Sequence, residues 1–385
     1  LFLCNNIFIM ITRIIEKQIK SSIKPQKATL IFGARRVGKT ILLDNILKEF
    51  KGNYQLLNGE DITTHQLFEQ NSIKRFQDFF GDLQLLVIDE AQSIPHIGQR
   101  IKLLVDNIKG LSVVATGSSA FDLLNRTGEP LVGCGYSFYL FPLSQEELNS
   151  VESPIDTLNN FESRLIFGSF PELNSMETVS EKTDYLKSIV NSYMLKDILT
   201  IDGIKNSSKM FNLLRLVAFQ VGSEISYDEI AKKVGLSRNT VEHYLNILSQ
   251  VYVVFRLGAY SNNLRKEVTK SSKWYFYDNG IRNALINKLM PLNMRNDEGI
   301  LWENYLISER IKNNYYHNLH NEYFFWRTYD KKEIDLVELS PNGNLSAFEL
   351  KWGDKTPKIP AAFAKNYPDA TFTVVNRNNY LESFI

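Results

Sequence analysis

Gly33-Ala-Arg-Arg-Val-Gly38-Lys39-Thr40 is the stretch that decides the fold. It matches the template G-x-x-x-x-G-K-[ST] at every fixed position, between an apolar run at residues 28–32 and a helical pattern at residues 41–51. In such a loop the backbone amides wrap phosphate oxygens, and the helix N-terminus adds partial positive charge. We therefore expect the whole loop to bind ATP, namely Gly33, Ala34, Arg35, Arg36, Val37, Gly38, Lys39 and Thr40.

A second motif, Leu85-Leu-Val-Ile-Asp89-Glu90, has the pattern of a buried strand that ends in two acids. Lys39 is expected to neutralise the β- and γ-phosphates, while Thr40 and Asp89 hold Mg²⁺. Glu90 is expected to orient and polarise the attacking water, because phosphoryl transfer depends mainly on positioning and charge neutralisation. Together the two motifs predict an ATPase that uses Mg²⁺.

Residues 10–150 alternate strand patterns with helical patterns, which predicts a parallel sheet with crossover helices in an α/β domain. The expected strands are residues 28–32, 54–57, 85–89, 111–116 and 136–141, and the expected helices are residues 41–51, 73–80 and 97–108. Residues 151–204 are predicted to form a helical linker whose last helix covers residues 185–199.

The order of the motifs G-A-R-R-V-G-K-T, V-I-D-E-A-Q, A-T-G-S-S and F-P-L-S-Q-E-E-L resembles a bacterial and archaeal family of AAA+ ATPases. Residues 168–172 and 193–197 resemble the middle segment of the same family, so the resemblance covers residues 10–380. Members carry a C-terminal half of unknown function, so the resemblance implies an ATPase more firmly than a pathway. Because AAA+ sites often lie between subunits, it also implies a homo-oligomer.

Two further positions are interpreted through this resemblance. In AAA+ proteins a polar residue after the fourth strand contacts the γ-phosphate, so Thr116 is the third expected catalytic residue beside Lys39 and Glu90, with Ser118 as the alternative. A plain turn capped by serine is the simpler interpretation of that segment. Where the family usually has Gly-Arg, this chain has Gly133-Cys134, which puts activation by an arginine of a neighbouring subunit in doubt. Arg126 lies nearby and is the alternative arginine.

Residues 205–290 have the pattern of a winged-helix domain, with helices at residues 226–234 and 238–248, a turn at Gly235 and wing strands at residues 252–259 and 274–278. One interpretation places the second helix against double-stranded DNA. The other is a lid or a partner-docking module that does not bind DNA. The expected base contacts are Arg238, Asn239 and His243, and the expected phosphate contacts are Lys232, Lys233, Arg265 and Lys266.

Residues 298–385 are predicted to form a third, α/β domain, with a helix at residues 301–312 and a hairpin closed by Pro341-Asn-Gly-Asn. Its acids and lysine resemble the PD-(D/E)xK nuclease pattern, in which carboxylates bind Mg²⁺ and the lysine positions water. A surface salt bridge is the alternative interpretation. The predicted nuclease-like metal site consists of Glu303, Asp335, Glu349 and Lys351.

Composition limits the class of protein. The 385 residues leave room for two or three domains, and 44% hydrophobic with 23% charged residues is typical of a soluble globular chain. The net charge of +1 predicts neither nucleic-acid nor membrane binding, so either would need a local patch. Cys4 and Cys134 form no metal or disulfide spacing, which fits a cytoplasmic location. The sequence has no apolar run of about 18 residues, so we expect no membrane span. Met10 precedes a helical pattern and is expected to be the natural start.

Three functions of different classes follow from these patterns. The first is an AAA+ ATPase whose C-terminal half acts on DNA. The second is a nucleotide-dependent switch or scaffold that binds a protein partner, which the near-zero charge and the missing Gly-Arg favour. The third is a metal-dependent nuclease whose ATPase gates access to it.

Overall fold

The computed structural model describes residues 11–69, 72–118, 133–194, 206–261 and 272–385. Its N-terminal part contains a five-stranded parallel sheet with strands β1 (Ala28–Phe32), β2 (Tyr54–Asn58), β3 (Leu85–Asp89), β4 (Ser112–Gly117) and β5 (Gly135–Tyr139). The order is β2-β3-β4-β1-β5, which places the strand before the phosphate loop between β4 and β5. The predicted parallel α/β fold of this part is confirmed.

Five helices flank this sheet. They are α1 (Glu16–Ser22), α2 (Lys39–Glu49), α3 (Ile62–Glu69), α4 (Ile73–Phe80) and α5 (Ile97–Asn107). Every residue of β1 and β4 is buried, because helices cover both faces of the sheet, and this explains why these strands are continuous apolar runs. Helix α3 was not predicted, since only Thr64 and Phe68 of its eight residues are buried and its apolar periodicity is weak.

A helical segment follows the sheet, with α6 (Gln145–Asn149), α7 (Pro154–Phe167) and α8 (Val179–Ser188). Each begins with a capping box, in which the N-cap hydroxyl and the acid three residues later satisfy each other's backbone amides. The last helix, predicted over residues 185–199, starts earlier than expected, because α8 begins at Val179 and continues directly into a π-helical turn over Ile189–Met194. Residues 195–199 lie outside the described ranges.

The helix-turn-helix pattern is present as α10 (Tyr227–Val234) and α11 (Arg238–Gln250), preceded by α9 (Ser207–Phe219). The side chains of Ser226 and Ser237 accept hydrogen bonds at the two helix starts, as N-caps do. Gly235 ends α10 with φ of 66°, a left-handed conformation that favours glycine.

The C-terminal part contains a seven-stranded sheet that also includes the predicted wing. Its strands are β6 (Glu224–Ile225), β7 (Val254–Ala259), β8 (Ser272–Phe276), β9 (Glu322–Arg327), β10 (Glu333–Leu339), β11 (Leu345–Leu350) and β12 (Thr371–Val375). The order is β12-β11-β10-β9-β7-β8-β6, because β7 pairs with β8 on one side and in parallel with β9 on the other. Both edges of β7 are thereby paired, so fewer of its backbone N–H and C=O groups are left unpaired. One hydrogen-bonded sheet therefore crosses the boundary predicted between residues 290 and 298.

The remaining helices are α12 (Asn279–Leu285), α13 (Glu298–Tyr316), α14 (Ala361–Asn366) and α15 (Tyr380–Ser383). Short 3-10 turns cover Ala91–Ser93, Pro171–Ser175 and Leu292–Met294. Helix α13 packs against α7, β8 and β11, so it lies between the two halves of the chain. Within the described ranges, no helix is both long enough and apolar enough to span a membrane.

Replacement of Gly280 by alanine tests the contact between α7 and α12. A Cβ atom at Gly280 would lie 1.9 Å from the carbonyl oxygen of Phe167, whereas one at Gly299 in α13 would meet nothing within 4 Å. We expect Gly280→Ala to lower the free energy of unfolding by about 1–3 kcal/mol. Gly299→Ala should leave it unchanged or raise it by up to about 1 kcal/mol. Urea unfolding of both variants measures the difference, and equal stabilities would contradict the close approach.

Candidate functional site

The phosphate loop has the backbone conformation that its sequence predicts. Gly38 adopts φ of 97° immediately before α2, so the loop reverses and its amides face the helix start. Lys39 is buried, and its ammonium donates hydrogen bonds to the carbonyl oxygens of Gly33 at 2.9 Å and Ala34 at 3.1 Å. A Cβ atom at Gly33 would lie 2.2 Å from the carbonyl oxygen of Leu140, so this position admits only glycine.

The expected Mg²⁺ ligands are adjacent in space. The hydroxyl of Thr40 donates to a carboxylate oxygen of Asp89 at 2.8 Å, although the residues lie 49 positions apart. The other oxygen of Asp89 accepts from the hydroxyl of Thr116 and from the backbone amide of Glu90 at 3.1 Å. A hydroxyl and a carboxylate are hard oxygen donors of the kind that Mg²⁺ prefers, so the residues present fit this ion.

Thr116 lies behind the two acids. Its hydroxyl donates to Asp89 and accepts from the backbone amide of Glu90 at 3.0 Å, and the residue is fully buried. This geometry makes Thr116 a positioning residue for Asp89 and Glu90 in the structure described here. Ser118, the alternative, is also buried, and Ser119 and Arg126 lie outside the described ranges.

Glu90 is held at the edge of the loop by polar neighbours. Its carboxylate accepts a hydrogen bond from the side-chain amide of Gln92 at 2.6 Å and lies 3.9 Å from the guanidinium of Arg35. Arg35 also lies 3.6 Å from the carboxylate of Glu60. The expected water-activating acid therefore faces Arg35, the third residue of the phosphate loop.

Arg13 is a buried residue of this site that the sequence patterns did not reveal. Its guanidinium donates to the carbonyl oxygen of Val37 in the phosphate loop at 2.7 Å and to that of Phe141 at 2.6 Å. It also donates to the carboxylate of Glu147 at 2.9 Å and to the hydroxyl of Tyr316 at 3.3 Å. Burial alone would lower the pKa of Arg13, but Glu147 and Tyr316 outweigh it and raise the pKa.

Helix α13 contacts the N-terminal α/β part beside this arginine. The hydroxyl of Tyr316 accepts from the backbone amide of Phe141 at 3.2 Å, and that of Tyr315 accepts from the amide of Tyr139 at 2.9 Å. The carboxylate of Glu309 accepts from the amide of Gln145 at 2.6 Å. The end of β5 and the start of α6 are thus tied to the C-terminal half by hydrogen bonds.

The position of the missing arginine is taken by a partly buried thiol. Cys134 approaches the carboxylate of Asp106 at 3.7 Å, and its carbonyl oxygen accepts from the amide of Ala28 at 2.9 Å. These contacts are structural ones at the start of β5.

The expected DNA-contacting face of α11 is exposed. Arg238, Asn239 and His243 all lie on the solvent side of the helix. The guanidinium of Arg238 lies 3.5 Å from the carboxylate of Asp228, and Lys233 pairs with Glu229 at 2.6 Å. Acidic side chains of α10 therefore offset part of the positive charge. Lys232 is exposed, while Arg265 and Lys266 lie outside the described ranges.

The predicted nuclease-like residues also come together in space. The ammonium of Lys351 lies 2.6 Å from the carboxylate of Glu349 and 3.5 Å from that of Asp335. Asp335 further accepts from the backbone amide of Leu350 at 2.8 Å. Glu303, on α13, accepts from the hydroxyl of Tyr275 at 2.6 Å. The sequence prediction did not include Tyr275 or Lys273, whose alternation along β8 was the available signal.

Burial dominates the titration of this cluster. It raises the pKa of Glu303 to about 7, with Lys273 opposing and Asp335 adding to the shift. Burial and the neighbouring Asp335 also raise the pKa of Glu349. Across the described ranges, no three His, Cys, Asp or Glu residues are arranged so that they could hold a metal ion. The predicted metal site is therefore not supported by its geometry.

Comparison with family models separates the two halves. A model described as "AAA domain" matches residues 25–149. This part of the chain is therefore similar to AAA domains, in agreement with its phosphate-loop sequence. Residues 158–292 and 298–383 match two models that are described as domains of unknown function, DUF8612 and DUF4143 respectively. The two models that match beyond residue 149 therefore indicate no function.

Similar proteins are known from archaea and bacteria. An uncharacterized protein of Methanocaldococcus jannaschii is 25% identical over 94% of this chain and 84% of its own length. An uncharacterized protein of Mycobacterium tuberculosis is 25% identical over 71% of this chain, and the match spans 60% of that protein. A solved Walker-type ATPase of Pyrococcus abyssi is 15% identical, with a TM-score of 0.49 over 72% of this chain and 96% of that one.

Exchange of Arg13 for lysine tests its role at the phosphate loop. Lysine keeps the charge but cannot make the forked contacts to Val37 and Glu147. We expect Arg13→Lys to weaken ATP binding about tenfold in isothermal titration. The matched control is Arg164→Lys, because Arg164 is equally buried and pairs with Glu152 away from the loop. If both variants lost stability equally and neither changed its ATP affinity, the result would contradict a role of Arg13 in supporting the phosphate loop.

The raised pKa of Glu303 predicts a pH dependence of stability. The folded chain holds the proton more tightly than the unfolded chain, so this contribution is greatest at low pH and is lost as pH rises through about 7. Wild type should therefore lose on the order of 3 kcal/mol from this group between pH 4 and pH 8. Glu303→Gln should remove that loss in urea unfolding. If the free energy of unfolding differs between Glu303→Gln and wild type by the same amount at pH 4 and pH 8, a raised pKa of Glu303 is excluded.

Proposed function

We propose that the protein is a Mg²⁺-dependent ATPase whose nucleotide state is transmitted to its C-terminal half. The observation that carries this proposal is the contact of Thr40 with Asp89 beside the buried Lys39. Such a site combines a phosphate-binding loop, two oxygen ligands for Mg²⁺ and a neighbouring carboxylate, Glu90.

Each residue of the site has a separate role in the proposed hydrolysis. Lys39 exchanges the carbonyl oxygens of the loop for the β- and γ-phosphates. Thr40 and Asp89 would hold Mg²⁺, which when bound would neutralise charge on the phosphates. Thr116 fixes the orientation of Asp89 and the backbone of Glu90. The carboxylate of Glu90 then accepts a hydrogen bond from the attacking water and points it at the γ-phosphorus.

The coupling route proposed here begins at the phosphate loop. Binding of phosphate changes the position of the Val37 carbonyl, which Arg13 contacts directly. Arg13 also contacts Tyr316, the last residue of α13, and Tyr316 contacts the end of β5 through Phe141. A shift of the loop therefore reaches the helix on which the C-terminal sheet is packed.

Two partners are proposed for the C-terminal half. The exposed face of α11 fits double-stranded DNA, since Arg238, Asn239 and His243 point to solvent. The pairing of Arg238 and Lys233 with acids of α10 favours the second candidate, a nucleotide-dependent switch that binds a protein. Salt dependence separates them, because DNA affinity falls steeply with added salt.

The decisive experiment measures Mg²⁺-dependent ATP turnover with and without duplex DNA. Lys39→Ala should lose ATP binding, while Glu90→Gln should keep binding and lose turnover by at least about 100-fold. Lys48→Ala is the matched control, because Lys48 is an exposed lysine of the same helix. Stimulation of turnover by DNA supports the DNA-acting candidate.

Other outcomes are equally informative. Binding of ATP without turnover by the wild-type chain under every condition excludes the ATPase and leaves the switch. Turnover that survives in Glu90→Gln excludes the proposed role of this carboxylate. Sedimentation of Glu90→Gln with ATP tests the proposed homo-oligomer, since this variant should hold the nucleotide without consuming it.

A further inference from the structure

Lys273, on β8, lies at the centre of the C-terminal charge cluster. Only 2% of its side chain is exposed, and its ammonium contacts Glu333 directly and lies 3.6 Å from the carboxylate of Glu303. The same ammonium stands 5.3 Å above the ring of Phe325. Burial alone would lower the pKa of Lys273, but the surrounding carboxylates outweigh it and raise the pKa. The buried lysine is therefore charged.

The cluster supplies its own positive charge from several elements. Lys351, which follows β11, pairs with Glu349 of β11 and Asp335 of β10. Arg327 on β9 lies 3.5 Å from Glu333. Tyr275, next to Lys273 on the same face of β8, donates to Glu303. The cluster thus joins the four carboxylates of Glu303, Glu333, Asp335 and Glu349 to the three cations of Lys273, Lys351 and Arg327.

These contacts engage one carboxylate oxygen of Glu303 and one of Asp335. An oxygen of Glu303 faces Lys273 and accepts from Tyr275, and an oxygen of Asp335 accepts from Leu350 and faces Lys351. A divalent ion placed among them would be repelled by the buried ammonium of Lys273 and by the partly exposed ammonium of Lys351. The donor set does not fit Mg²⁺.

We propose that Lys273 is the resident cation of this cluster, in the place where the nuclease resemblance requires a metal. The cluster is closed by lysine and binds no divalent ion, so the C-terminal half does not cut DNA through a metal at these residues. This inference goes beyond the proposed ATPase function and does not depend on it. It also predicts a gain of function, because removal of the Lys273 charge should allow the cluster to bind a metal ion.

The test measures Mn²⁺ binding to the full chain without nucleotide. Electron paramagnetic resonance detects the bound Mn²⁺. Wild type and Lys273→Met are each titrated with and without the additional change Asp335→Asn, which identifies Mn²⁺ bound at this cluster. Wild type should show no Asp335-dependent binding. Lys273→Met should bind Mn²⁺ in an Asp335-dependent way, with an affinity at least about tenfold higher than that of wild type. Methionine keeps the side-chain volume but leaves the carboxylates without their counter-ion.

Lys312→Met is the matched control. Lys312 is exposed to the same 2% and pairs with one carboxylate, that of Glu309, at 2.7 Å. Its replacement removes a buried cation of equal burial outside the cluster, so it should produce no Asp335-dependent binding. A gain of Mn²⁺ in this variant would show that loss of any buried lysine is enough, and would overturn the specific role of Lys273.

Two further results would overturn the inference. One is Asp335-dependent Mn²⁺ binding by wild type, and the other is a folded Lys273→Met chain that binds no more Mn²⁺ than wild type does. Should Lys273→Met fail to fold, the wild-type titration decides by itself. Asp335-dependent Mn²⁺ binding by wild type would then reject the proposal that Lys273 is the resident cation. The absence of such binding would support the proposal. None of these readings involves ATP turnover, so failure of the ATPase proposal is a separate result.

Discussion

The buried guanidinium of Arg13 is the interaction on which the arrangement of the two halves depends. A charge removed from water is costly unless hydrogen bonds and an opposite charge replace its hydration. Arg13 meets this requirement only where the phosphate loop, the end of β5, Glu147 and Tyr316 converge. Separation of α13 from the N-terminal α/β part would expose this set of contacts. The nucleotide site and the C-terminal half are therefore parts of one packed structure.

The shared sheet strengthens this connection. Strand β7 leads out of the helix-turn-helix and pairs with β8 and β9, so the middle segment and the C-terminal segment share backbone hydrogen bonds. A movement of α13 acts on this sheet directly, because α13 packs against β8 and β11. Rigid strands transmit displacement better than a flexible linker does, which suits the proposed coupling of the phosphate loop to the C-terminal half.

Local signals predicted the parts that local chemistry controls. The phosphate loop, the strand ending in Asp89 and the turn at Gly235 follow from residue types within a few positions, and the structure has all three elements. Arg13 and Lys273 could not be found in this way. Arg13 meets Tyr316 over 303 positions, and Lys273 meets Glu333 over 60, so no sequence window contains both partners. The pairing of β7 with β9 was missed for the same reason, since its strands are separated by α12 and α13.

The two acidic sites of the chain differ in what neutralises them. Asp89 is held by the hydroxyls of Thr40 and Thr116 and by a backbone amide, all of which are uncharged donors that leave its negative charge in place. Glu303 and Asp335 instead face lysine ammonium groups that the fold itself supplies. A carboxylate held by neutral donors attracts a divalent cation, whereas one paired with a lysine ammonium attracts it less strongly. Similar side chains thus prepare an ion site in one sheet and close it in the other.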